Sequence, residues 1–170
     1  MAAATRLERI VFGLLACNTV YYVVAGRLSE ALESVAWYGL LILFFLETRN
    51  RRLSQSASAR AALRALRLLA TIAIAMSMTL YVREKEWLDA ANLLLWIAVV
   101  ALLECEVRRP AAIAAHRTAY TRTAAALYAG LGIVVLIWLA LGKWVNAWDA
   151  ALWLAAFGLL EVDILNTQNS

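Results

Sequence analysis

Three glutamates stand at equal intervals of 57 residues. They are Glu47, Glu104 and Glu161, each preceded by leucine, in Phe45-Leu46-Glu47, Leu102-Leu103-Glu104 and Leu159-Leu160-Glu161. A carboxylate at the end of an apolar run has two uses. It can hold a basic side chain in an ion pair, or it can bind and pass a cation or proton. Arg9, Arg67 and Arg122 lie where the neighbouring apolar runs begin. They are the expected partners, and a partner offsets the unfavourable position of a negative charge at a helix C-terminus. Ion pairing is therefore the expectation, and a cation or proton path near the cytoplasmic mouth is the alternative.

A second set of polar residues shares the same runs. Between Glu33 and Glu47 lie 13 uncharged residues, between Asp89 and Glu104 14, and between Asp149 and Glu161 11. At ~1.5 Å per residue these are helices of about 17–21 Å, short of the ~30 Å hydrocarbon core. A carboxylate has too short a stem to reach the surface as arginine does, so it must face other helices. At 100° per residue an inward stripe follows. It runs through Glu33 and Trp37, through Asp89, Asn92 and Trp96, and through Asp149, Trp153 and Asp163. The outer acids Glu33, Asp89 and Asp149 also suit helix N-termini, where acids bond the amides and complement the dipole.

Other chemistry lacks its residues. His116 is the only histidine, and Cys17 and Cys105 lie far apart within apolar runs. No haem, zinc or iron–sulfur ligand set and no disulfide framework is expected. No nucleophile–base pair and no glycine-rich phosphate loop can be assembled, so neither an enzyme nor a cofactor is expected. Gly130-Leu131-Gly132 permits a close helix approach.

The elements that carry these residues follow from composition. Of 170 residues, 64% are hydrophobic and 16% charged. That is more apolar sequence than the interior of one soluble domain can hold, and lipid must cover the excess. Charges divide the chain into apolar segments at about 7–26, 31–48, 60–82, 87–107, 118–142 and 147–165. Each has about the length of a membrane-crossing helix, and no strand alternation competes. The expected fold is an all-α integral membrane protein with six transmembrane helices. It forms one membrane domain over 1–170, with no separate soluble domain.

Basic residues set the orientation. The N-terminus and the second and fourth connections hold 12 of the 16. Both termini are therefore expected in the cytoplasm, in a membrane such as the bacterial inner membrane. Three markers recur near one period: the leucine–glutamate ends, an acid or amide four residues before Trp37, Trp96 and Trp153, and arginine opening each odd segment. They read as three same-orientation helical hairpins, at about 5–50, 60–107 and 117–165.

The basic face is explained by topology and by anionic lipid head groups, with Arg60 and Arg64 the candidate contacts. Nucleic acid is not expected. No apolar segment contains an internal proline of the kind that breaks transporter helices. The expected function is that of a non-catalytic accessory, scaffold or regulatory subunit, contacting other membrane subunits or copies of itself. The alternative is a small ion or proton channel or transporter using the membrane-depth carboxylates.

Overall fold

The computed structural model describes the backbone of residues 2–49 and 56–168, and the side chains of 9–47, 56, 58–106 and 108–158. Among them the chain is helical, with no strand. The helices are α1 (Ala2–Ala25), α2 (Leu28–Arg49), α3 (Ala57–Glu84), α4 (Trp87–Arg108), α5 (Pro110–Ala115), α6 (Arg117–Ala140) and α7 (Trp144–Gln168). The six long helices overlie the six apolar segments read from the sequence. Among the described residues four stretches are long and apolar enough to cross a membrane, Leu28–Glu47, Ser58–Glu84, Trp87–Glu106 and Arg117–Ala140, and Arg9–Ala25 is a shorter apolar stretch. These are the lengths and compositions of a helical membrane protein.

The short helix α5 is an addition. Pro110 reads from sequence as a loop residue, but it is the first residue of α5. Proline has no N–H to give and a fixed φ that suits the first helical position. It also disfavours helical geometry in the residue before it. Arg109 accordingly leaves the helical region, at φ −133° and ψ 55°, and α4 ends there.

The chain divides into two compact units, Met1–Lys85 and Glu86–Ser170. The division falls in the turn of the expected 60–107 hairpin, with α3 in the first unit and α4 in the second.

In the first unit α2 packs against both α1 and α3. Gly26 makes the α1–α2 turn, where any Cβ would lie 2.6 Å from the Tyr22 carbonyl oxygen. The α1–α2 seam is partly polar. Ser34 donates to Thr19 Oγ1 at 3.1 Å, and Tyr38 donates to the Phe12 carbonyl at 3.4 Å. The Phe12 and Phe45 rings meet at 5.3 Å.

In the second unit α6 packs against both α4 and α7. Val134, Trp138, Ala147 and Ala150 form its buried centre, with Leu88, Leu95 and Val135 against it. Gly130 sets the α4–α6 approach, since a Cβ there would meet a Leu95 methyl at 3.3 Å. That is the close approach expected of Gly130-Leu131-Gly132, although Gly132 faces open space. The Trp96 and Phe157 rings meet at 5.1 Å.

Burial recurs along three of the helices. Leu15, Asn18 and Tyr22 are buried in α1, Ile74, Ser77 and Tyr81 in α3, and Leu131, Val134 and Trp138 in α6. In each helix the aromatic residue stands four positions before a turn residue, Gly26, Lys85 or Gly142. Lys85 and Gly142 are both left-handed, at φ 61° and 72°, and terminate the preceding helix. The opposite faces of α3 and α6 expose Leu68, Leu69, Ile72 and Met76, and Ile133, Leu136 and Leu139.

Candidate functional site

The charged side chains cluster at the short turns. In the first unit the cluster is built on the start of α2 and the end of α3. The Arg27 backbone N–H donates to Glu30 Oε2 at 2.8 Å, and its guanidinium reaches Glu30 Oε1, also at 2.8 Å. This is a reach-back cap: a carboxylate in the first helical turn satisfies an N–H that the helix leaves open. The same guanidinium lies 3.6 Å from Glu84, which also accepts from the Ser29 hydroxyl at 2.8 Å. One turn further along α2, Glu33 accepts from the buried Tyr81 hydroxyl at 2.6 Å.

In the second unit the cluster joins α4 to the turn between α6 and α7. Asp89 is the most deeply buried acid among the described residues, its side chain 4% exposed. Asn146 Nδ2 donates to its Oδ1 at 3.1 Å, and Lys143 Nζ lies 3.7 Å from its Oδ2. Lys143 also donates to Glu86 at 3.0 Å. Asn92 and Trp138, at the places that correspond to Glu33 and Tyr81, are buried as well. The Trp138 indole N–H and Asn92 Oδ1 have no hydrogen-bond partner among the described residues.

At the far ends of the helices Arg67 donates to Glu47, an ion pair joining α3 to α2. Glu104 instead pairs with Arg108, one turn along its own helix, and Arg122 is exposed. Glu106 takes the interhelical role in α4 and accepts from the Tyr120 hydroxyl of α6. Arg9 lies exposed on α1. Glu161 and Asp163 belong to the backbone of α7, but their side chains lie outside the described residues. Of the expected inward stripe, Asp89, Asn92, Trp96 and Trp153 are buried, and Glu33, Trp37 and Asp149 are half-buried.

The Arg67–Glu47 pair is half in solvent, with side chains 52% and 25% exposed. Such pairs contribute about 0–1 kcal/mol. Glu47→Gln is therefore expected to shift the apparent melting temperature in detergent by no more than about 2–4 °C. Unfolding of the variant at ordinary temperature would show that Glu47 carries more than this pair.

Sequence reasoning missed Lys143, Asn146, Tyr81 and Ser29. The signal was available for two of them: Asn146 follows Asp89, and Lys143 follows Glu86, by the same 57 residues that separate the glutamates. Four mid-helix hydroxyls bond locally. Thr19, Thr71, Ser77 and Thr79 each donate to the carbonyl four residues earlier, a bond that uses the hydroxyl's one proton and leaves its oxygen able to accept. Among the described residues no group of three His, Cys, Asp or Glu side chains is placed to hold a metal ion. Cys17 and Cys105 are exposed thiols.

Comparison with protein-family models, curated proteins and solved structures finds no match to this chain.

Proposed function

We propose that this chain is a non-catalytic polytopic membrane protein, acting as an accessory, scaffold or regulatory subunit of a larger membrane assembly. In this reading the six long helices all cross the bilayer as three hairpins of one orientation. Both termini face the cytoplasm, and the membrane is a bacterial inner membrane. The observation that carries the reading is the pairing of its charges. The acids at the turns are held by Arg27, Tyr81, Lys143 and Asn146 of their own unit. Alongside them α3 turns Leu68, Leu69, Ile72 and Met76 outward, and α6 turns Ile133, Leu136 and Leu139 outward. A solute path needs polar groups turned toward the solute, whereas a lateral subunit needs apolar faces turned outward.

The recurring burial supports the hairpin repeat. Helices α2, α4 and α7 start at Leu28, Trp87 and Trp144, intervals of 59 and 57 residues. This register aligns Glu30, Asp89 and Asn146, then Glu33, Asn92 and Asp149, then Trp37, Trp96 and Trp153. At the far end it aligns Glu47 with Glu106 and Asp163. At that end Glu47 and Glu106 bond across to α3 and α6 respectively. Arg60 and Arg64 are exposed at the start of α3 and suit anionic head groups, at about 1 kcal/mol per basic residue near the surface.

The test is reconstitution. The purified chain in proteoliposomes is expected to pass neither protons nor monovalent cations above the protein-free background. Native mass spectrometry from mild detergent is expected to show it with a second membrane chain in fixed stoichiometry, or as a defined homo-oligomer. A lone species with robust flux that Asp89→Asn or Glu47→Gln abolishes would overturn the reading in favour of a channel or transporter.

A further inference from the structure

We propose that α5 is a surface anchor. It lies along the membrane interface and holds anionic lipid through the arginines at its two ends. This rests on the membrane reading above. The observation is the combination of three features in residues 108–117. The helix itself, Pro110-Ala111-Ala112-Ile113-Ala114-Ala115, is wholly apolar, yet none of its residues is buried. Only Ile113 is partly covered, and Ala111, Ala112, Ala114 and Ala115 are exposed. Arg108 and Arg109 stand before it, and His116 and Arg117 after it.

The position supplies the occupant. Trp87–Glu106 and Arg117–Ala140 are both candidate membrane spans. The ten residues between them join the ends of two spans and cannot leave the headgroup layer by more than their own short length. The helical course is broken on both sides of α5, by Arg109 at φ −133° and by His116 at φ −120°. The segment is therefore a separate element set between the two spans and does not continue either. Part of its backbone is bonded within the segment: Ile113 N–H bonds Arg109, and His116 N–H bonds Ala112. The N–H groups that open a helix this short stay unbonded inside it and suit the polar headgroup layer, while its alanine side chains suit the acyl boundary beneath.

Charge selects the lipid. The nearby acids are already engaged, Glu104 by Arg108 and Glu106 by the Tyr120 hydroxyl. Arg109, Arg117 and Arg122 add exposed positive charge beside them. A phosphate-bearing anionic surface is the complement of this arrangement, an apolar patch between cationic ends. The arginine at a membrane surface binds phosphate through its planar fork.

The experiment places single cysteines at Ala111 and Ala115 in a Cys17→Ala, Cys105→Ala background. Each is labelled with an environment-sensitive fluorophore and reconstituted in vesicles of phosphatidylglycerol or of phosphatidylcholine alone. Nitroxide on the upper acyl chain is expected to quench both labels, and aqueous iodide to quench them at least about threefold less than in the chain unfolded in SDS. Shallow quenching is expected to be about twofold stronger in phosphatidylglycerol and to lose that preference in Arg109→Gln, Arg117→Gln. Labels that iodide reaches freely, or lipid quenching indifferent to head-group charge, would overturn the proposal. So would shielding that appears only when another protein is added. Retention of the labelled chain in the vesicle after alkaline washing monitors the membrane reading separately. A retained chain with water-exposed labels rejects the anchor alone, and a chain washed off rejects both.

Discussion

Lys143→Met is expected to destabilise the second unit more than removal of any other charge. Asp89 is almost fully enclosed, and Lys143 Nζ lies 3.7 Å from its Oδ2. Taking one partner from a buried pair typically costs about 3–5 kcal/mol, because the remaining charge stays desolvated. Lys143 is 36% exposed, so water already screens part of the interaction. A loss of about 2–3 kcal/mol is the reasonable expectation. For a chain of this size that corresponds to a fall of roughly 5–10 °C in apparent melting temperature. Asp89→Asn in the Lys143→Met background is expected to restore more than half of the loss, since a neutral amide no longer demands the cation. A double-mutant cycle in detergent, read by thermal unfolding, measures this coupling. Strictly additive effects of the two substitutions would show that they do not form a functional pair.

The second large effect is expected from Trp138→Ala. Trp138 is 2% exposed and lies at the centre of the cluster that joins α6 to α4 and α7. Lipid does not drive this packing as water would, because acyl chains are as apolar as the core. The loss comes instead from the void left among Val134, Ala147 and Ala150, which small neighbours cannot refill. Tryptophan truncations of this kind cost about 3–5 kcal/mol. Trp148→Ala serves as the internal comparison, since Trp148 is exposed on α7, and a change within about 0.5 kcal/mol is expected there. Differential scanning fluorimetry in one detergent compares the two variants directly. Equal sensitivity at Trp138 and Trp148 would refute the assignment of Trp138 as the packing centre.

Much of the fold is legible in the chain because charges are scarce and fall at helix ends. The six apolar segments coincide with the six long helices, since only breaks in apolar sequence end a helix of this kind. The short helix α5 was illegible because a proline after two arginines reads equally well as a loop. Only the φ, ψ values at Arg109 and His116 reveal a turn of helix between two bends. The site was half legible. Glu47 with Arg67 follows from simple complementarity, an acid ending one helix where the next begins with arginine. Glu104 escaped that logic because Arg108 lies a single turn away on its own helix, and a local partner competes successfully with a distant one. Helical angle alone also could not rank the acids by depth. Asp89 is buried because the α6–α7 turn folds over the start of α4, bringing Lys143 and Asn146 to it, and that return of the chain has no signature within α4 itself.

The 57-residue separation of Asp89 from Asn146 has a consequence for biogenesis. Helix α4 is made, and must settle, before the residues that receive its acid have been synthesised. At roughly 5–20 residues per second, Asp89 stands without its amide partner for about 3–11 s of elongation. Its place as the third residue of α4 suits such an interval. During that time the carboxylate can remain hydrated at the rim while the apolar body of α4 enters the bilayer. Arrival of Lys143 and Asn146 then closes the seam, so the acid marks the completion of the second unit.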